Sequence, residues 1–158
     1  MPSPSLTRDE IIEKIGGENQ YNFLLASFCE NIQQDAGLKD IFISFELEGL
    51  AERMSALLDI VFAQSSDYEP LDDISRNRVV MTNFSLFEAG MNVDHFKKLQ
   101  ANFESALHDA WVEEDLIDQC NQRFAKLQSV FEEEGAIMEQ SEMKKRVLEV
   151  RMMVAKSA

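Results

Sequence analysis

Two apolar runs constrain this chain more than anything else in it. Phe96, Leu99, Phe103, Leu107, Ala110 and Trp111 recur at helical spacing, and so do Leu116, Cys120, Phe124, Leu127 and Phe131. A 3.6-residue period puts each run on one face of a helix; a strand would scatter it over both faces. Strand-like alternation is almost absent elsewhere, and three prolines and six glycines in 158 residues leave long uninterrupted stretches. The expected fold class is all-α.

The remaining helices follow from periodicity and end signals. Thr7 followed by Glu10 reads as a capping box before "IIEKI", and Gly16-Gly17 ends that short helix. Tyr21, Leu24, Leu25, Phe28 and Ile32 mark a second helix that stops by Gly37, and "LKDIF" is a helical turn. A third helix starts near Glu46 and carries Leu50, Met54, Leu57 and Val61. "QSSDYEPLDDIS" reads as a polar loop, with Asp73 or Ser75 as the cap of a weaker helix near 75–88. Gly90 breaks the chain, Asn92 or Asp94 caps the Phe96 helix, and Gly135 is expected to separate the Phe131 helix from a last one.

The chain is 45% hydrophobic and carries a net charge of −14. That supports one core, and it argues against nucleic acid or an anionic membrane as a partner of the body. "MPSPSLTRDE" holds no secretory apolar run, and no apolar stretch is long enough to span a bilayer. Cys29 and Cys120, far apart and outside any framework spacing, point to an intracellular reducing compartment, cytoplasm or organelle stroma.

No catalytic constellation emerges. There is no His-x-x-x-His or Cys-x-x-Cys metal spacing and no glycine-rich phosphate loop, and the carboxylates at 113–115 and 132–134 read as solvated faces. The expectation is a non-enzymatic protein with no metal site.

The tail differs from the rest. Residues 141–158 hold Lys144, Lys145, Arg146, Arg151 and Lys156 against Glu142 and Glu149, a net +3, which leaves −17 for the remainder. Met143, Val147, Val150 and Val154 form a narrow apolar stripe. Such a helix docks on its own acidic body, binds a partner or lies on an anionic surface, and Lys144, Lys145, Arg146 and Arg151 are the partner-binding candidates. A homodimer is left open.

Two longer segments carry a family resemblance. "IIEKIGGENQYNFLLASFCENIQQDAGLKDIF", with Gly16-Gly17, Phe28-Cys29, Asp35, Leu38 and Phe42, resembles the N-terminal signature of truncated haemoglobins. "DHFKKLQANFESALHDAWVEEDLIDQC" resembles the family's penultimate helix, the break after it and the start of the last helix. The resemblance implies a globin-like domain over residues 9–131, preceded by an extension over 1–8 and followed by a helical extension over 132–158.

The same resemblance implies a proximal histidine about nine or ten residues before a His-Phe pair, here His95-Phe96. Counting back nine reaches Leu86, and matching Met91 and Val93 instead reaches Glu88. The family commonly has a tyrosine where Cys29 stands and a polar side chain near Met54. The scaffold signature is kept and the ligand signature is not, so no cofactor is expected. His95 reads as a first-turn histidine beside Asp94, and His108 as a surface residue. A haem globin of unusual ligation that binds or senses O2 or NO is the alternative. Its pocket would draw on Cys29, Phe42, Met54, Leu86, Phe87, Glu88 and His95.

A haem-sized void left empty would be costly, at about 24 cal/mol per Å³. Phe23, Phe42, Phe45, Phe62, Phe84 and Phe87 are the side chains bulky enough to fill it.

Overall fold

A computed structural model describes residues 6–43, 45–64 and 69–157, leaving aside the side chains at 47, 156 and 157. The described residues form helices and no strand: α1 (Arg8–Ile15), α2 (Glu18–Gln34), α3 (Lys39–Phe42), α4 (Leu47–Phe62), α5 (Asp73–Thr82), α6 (Phe84–Glu88), α7 (Val93–Asp109), α8 (Glu114–Ala125) and α9 (Gln128–Ser157). Part of the loop expected over 64–75 lies outside the described residues. No described helix is long and apolar enough to cross a membrane.

Local chemistry sets the boundaries. Thr7 Oγ1 accepts the Glu10 N–H at 3.2 Å while Glu10 Oε1 accepts the Thr7 N–H at 3.3 Å, so the capping box forms as read. Gly16 and Gly17 then take φ of 126° and 96°, a turn that a Cβ would strain. The cap of α5 falls one residue earlier than expected: Asp72, rather than Asp73 or Ser75, accepts the Ser75 N–H at 2.7 Å. Asn92 caps α7 and accepts the N–H groups of Asp94 and His95.

At the centre α2 and α7 run antiparallel. Their flanks are tied by polar bonds. Gln20 Nε2 donates to the Ala110 carbonyl at 3.0 Å, Ser27 Oγ to Asp109 at 3.0 Å, and Asn102 Nδ2 to Asp35 at 2.8 Å. Helices α1 and α4 cover α2, α8 packs on α7 and α4, and the first part of α9 lies against α5, α6 and α7. The buried set runs from Ile11 to Phe131 and includes Leu24, Phe28, Ile32, Leu57, Phe96, Phe103 and Phe124.

Three helix expectations are corrected. The weak helix near 75–88 is two, broken at Asn83, whose side-chain amide turns back to the Val79 carbonyl at 2.8 Å. The Leu116–Phe131 stripe is split after Ala125, because Leu127 enters the core from the turn after α8 and Phe131 from the start of α9. Gly135 breaks nothing. It lies inside α9, against the backbone of Asn92, where a Cβ would come within 3.3 Å of the Asn92 Cα. The glycine serves a close helix crossing rather than a stop, and the boundary expected between 131 and 132 falls within one continuous helix.

Candidate functional site

The family resemblance directs attention to α6 and to the face of α2 and α4 that carries Cys29 and Met54. Helix α6 is a five-residue element between Asn83 and the turn at Gly90, whose φ is 98°. Leu86 and Phe87 point inward and are buried, and Glu88 points to solvent. The Leu86 carbonyl is occupied by the Met91 N–H at 3.0 Å, which fixes the turn into α7.

Phe87 opens a chain of aromatic contacts through the interior. Its ring lies 5.1 Å from Phe131, which lies 4.9 Å from Phe96, and Phe96 stacks on Phe124 at 5.4 Å. Phe124 stacks on Phe103 at 4.7 Å, and Phe103 meets Phe28 at 5.5 Å and Phe62 at 6.3 Å. Offset or edge contacts at these separations are favourable, about 0.5–1.5 kcal/mol each beyond area burial. The run links α6, α9, α7, α8, α2 and α4 into one packed body.

Of the six phenylalanines expected to fill this region, Phe42, Phe62 and Phe87 are buried and Phe45 is partly so. Phe42 and Phe45 pack at 6.2 Å, and the Arg53 guanidinium covers the Phe45 ring at 4.5 Å. The same Arg53 donates to the Thr82 carbonyl at 2.9 Å, which pins α4 to the end of α5. Phe23 and Phe84 do not fill it. Each is 51% exposed, because Phe23 falls on the outer face of α2 and Phe84 on the outer face of α6.

Cys29 and Met54 are both buried among apolar side chains. Burial pushes the Cys29 thiol up to about 11, so at neutral pH it is a protonated hydrophobe rather than a thiolate. His95 Nδ1 accepts the Asn92 N–H at 3.1 Å, which makes its ring part of the α7 cap. That replaces the expected pairing with Asp94. His108 is exposed between Glu104 and Glu114, each 4.0 Å away.

On α6 these residues offer no buried donor atom for the axial coordination of haem iron. Leu86 has no donor atom, the Glu88 carboxylate faces solvent, and His95 Nδ1 accepts a backbone N–H at a helix cap. Met54 offers a thioether and Cys29 a protonated thiol, both buried. Among the described residues, no group of three His, Cys, Asp or Glu is placed to hold a metal ion.

The second candidate region is the tail. Lys144, Lys145, Arg146 and Arg151 all lie on the exposed part of α9. The side chain of Lys156 lies outside the described residues. Lys145 and Arg146 border a cleft of about 560 Å³ between α9 and the α6–α7 turn, with Phe87, Met91 and Met138 also in its wall. The cleft therefore joins the tail cations to the α6 corner.

Sequence reasoning missed Arg123. Its side chain is buried, and it donates at 2.7 Å to both the Phe62 and Leu6 carbonyls. Gln64 Nε2 in turn donates to the Arg123 carbonyl at 3.0 Å. One guanidinium thus closes the C-terminal end of α4, where carbonyls lack helical partners, and holds the chain entering α1. A signal was present: Arg123 sits seven residues after Leu116 and three after Cys120, on the apolar face of α8.

No family model matches the sequence, and no curated protein matches it either. The fold is similar to the crystal structure of THB4 from Chlamydomonas reinhardtii, a truncated haemoglobin, with a TM-score of 0.64 and 21% identity. The match covers 77% of this chain and 94% of that one. The architecture is therefore all-α and globin-like, with α9 extended beyond it, as the two sequence signatures led one to expect.

Proposed function

We propose that this chain is a non-enzymatic globin-like module that works without haem iron and binds a protein partner through the outer part of α9. The observation that carries this reading is the pairing of Leu86 and Phe87, both buried, with the Phe87 ring against Phe131. A hydrocarbon and an aromatic ring occupy the inward face of α6 where the family resemblance calls for an imidazole. The Cys29 thiol, held protonated, and the capped His95 ring support the same conclusion. Both cysteines are buried and neither is in a disulfide, which supports work in a reducing compartment.

The test is a visible spectrum of the purified protein titrated with hemin. The proposal expects no Soret band at stoichiometric intensity while the far-UV spectrum stays helical. A stoichiometric Soret band would turn the reading to a gas-binding globin with unusual axial ligation.

A further inference from the structure

From Glu139 onward α9 leaves the body, and every described side chain from Glu139 to Ala155 is exposed. That is roughly 25 Å of helix at 1.5 Å per residue. Free helices of this length are marginal in water, and this one holds apolar side chains in solvent, with Met143 68% and Val154 64% exposed. Met143, Val147, Val150 and Val154 follow a four-three-four spacing. At about 100° per residue they share one seam about 60° wide.

The charges around the seam are not symmetric. Arg151 and Lys144 lie about 70° and 90° from its centre on one side, and Arg146 about 70° on the other. Glu142 and Glu149 fall more than about 100° away, and Glu139, one turn before Met143, lies about 50° away on the Arg146 side. The shallow groove along the seam shows the same order, with Met143, Val147 and Val150 between Arg146 and Arg151.

This pattern selects the occupant. Two copies joined antiparallel along the seam would set Lys144 against Arg151, and a parallel pair would set Arg146 against Arg151, with Glu139 facing Lys144 as a partial offset; like charges in these flanking positions destabilise helix pairs. A lipid surface suits it poorly too. The seam has no aromatic anchor, and residues 1–140 bring −17 of charge that anionic headgroups repel. A helix with an apolar strip edged by carboxylates on both sides complements it in shape and charge.

We infer that the outer part of α9 binds an acidic amphipathic helix of another protein, with Lys144, Arg146 and Arg151 reading its flanking carboxylates. The inference rests on the preceding reading only in taking α9 as the contact, and hemin titration of the body leaves it untouched. The probes are two synthetic helical peptides with the same Ile/Leu strip, one flanked by Glu and one by Lys. Calorimetry on the full chain should find the Glu peptide at least tenfold tighter than the Lys peptide, weakening severalfold between 50 and 300 mM NaCl. The variant K144E/R146E/R151E, altered only at exposed positions, should reverse that preference while its circular dichroism is unchanged. Failure of the Glu peptide to bind, or equal binding by the charge-reversed variant, overturns the inference. So does a dimer in sedimentation equilibrium whose strength K144E/R146E/R151E changes, which gives the seam to a second copy. Binding to phosphatidylserine vesicles that the Glu peptide does not compete away also overturns it, in favour of lipid.

Discussion

Gly135 crosses Asn92 so closely that a Cβ on the glycine would sit 3.3 Å from the Asn92 Cα and 3.4 Å from its Cβ. This contact fixes where α9 meets the α6–α7 turn, and so where the tail leaves the body. Alanine there gains up to about 1 kcal/mol of helix propensity against a backbone contact that must give slightly, so Gly135→Ala should be close to neutral. Gly135→Leu adds atoms with nowhere to go and should destabilise by about 1–3 kcal/mol. Urea unfolding followed at 222 nm separates the two, and a fully stable leucine variant would show that the crossing is not tight.

Arg123 gives the second prediction. Arg123→Met removes the donors to the Phe62 and Leu6 carbonyls, which should cost about 2–4 kcal/mol. Arg123→Lys keeps a cation that cannot span both carbonyls and should fall between. A methionine variant as stable as the parent in denaturant unfolding would mean that burying the guanidinium offsets its bonds.

Trp111 gives the third. It is the one non-glycine residue with positive φ among the described residues, at 61°, and its indole is 91% exposed. The left-handed conformation strains a bulky side chain by about 1–2 kcal/mol, part of which Trp111→Gly returns as unfolded-chain entropy. The glycine variant should therefore unfold about 1–4 °C higher by calorimetry. In the parent, this single tryptophan should emit at long wavelength and be quenched freely by acrylamide in the native state.

Alkaline pH should weaken the fold. Burial raises the Cys29 thiol from 9.0 to about 11, and it raises the Tyr21 phenol as well. Below pH 9 both groups are protonated in folded and unfolded chains, and their burial is fully tolerated. Above pH 9 the unfolded chain ionises Cys29 first and binds fewer protons, so stability falls as pH rises toward 11. Urea midpoints should be level from pH 7 to 8.5 and drop by pH 10.5. Cys29→Ala should flatten the thiol's share of that drop, and a midpoint independent of pH would rule the mechanism out.

Ending the chain after Gln140 removes no buried side chain among the described residues, whereas ending it at 135 also removes the partly buried Met138. The shorter protein should keep its unfolding free energy within about 0.5 kcal/mol. It should lose helical signal only in proportion to the residues deleted. Loss of cooperative unfolding would make the tail part of the core.

The helices with strong stripes were legible in the sequence. Thr7 with Glu10, Gly16-Gly17, Asn92 and the Phe96 stripe as far as Ala110 act within a turn or two of the chain, so the sequence alone carries their geometry, whereas Trp111, read as the end of that stripe, lies beyond α7 and is exposed. Pocket filling was half legible. Phe42, Phe62 and Phe87 went inward, while Phe23 and Phe84 stayed outside, because size alone does not say which face of a helix meets a neighbour. The tail's charge reversal was plain in the sequence, but not that its seam side chains stay exposed.

What the sequence determined by itself is the all-α class, most helix positions and the absence of a histidine from the inward face of α6, since periodicity, caps and residue identity are local properties. Tertiary structure decided the rest. It continued α9 through Gly135, broke α8 from α9 at Lys126 and Leu127, and buried Arg123 at the end of α4. Each of these depends on residues far apart in the chain, Gly135 on Asn92 and Arg123 on Phe62 and Leu6, and no local pattern records a contact that only packing creates.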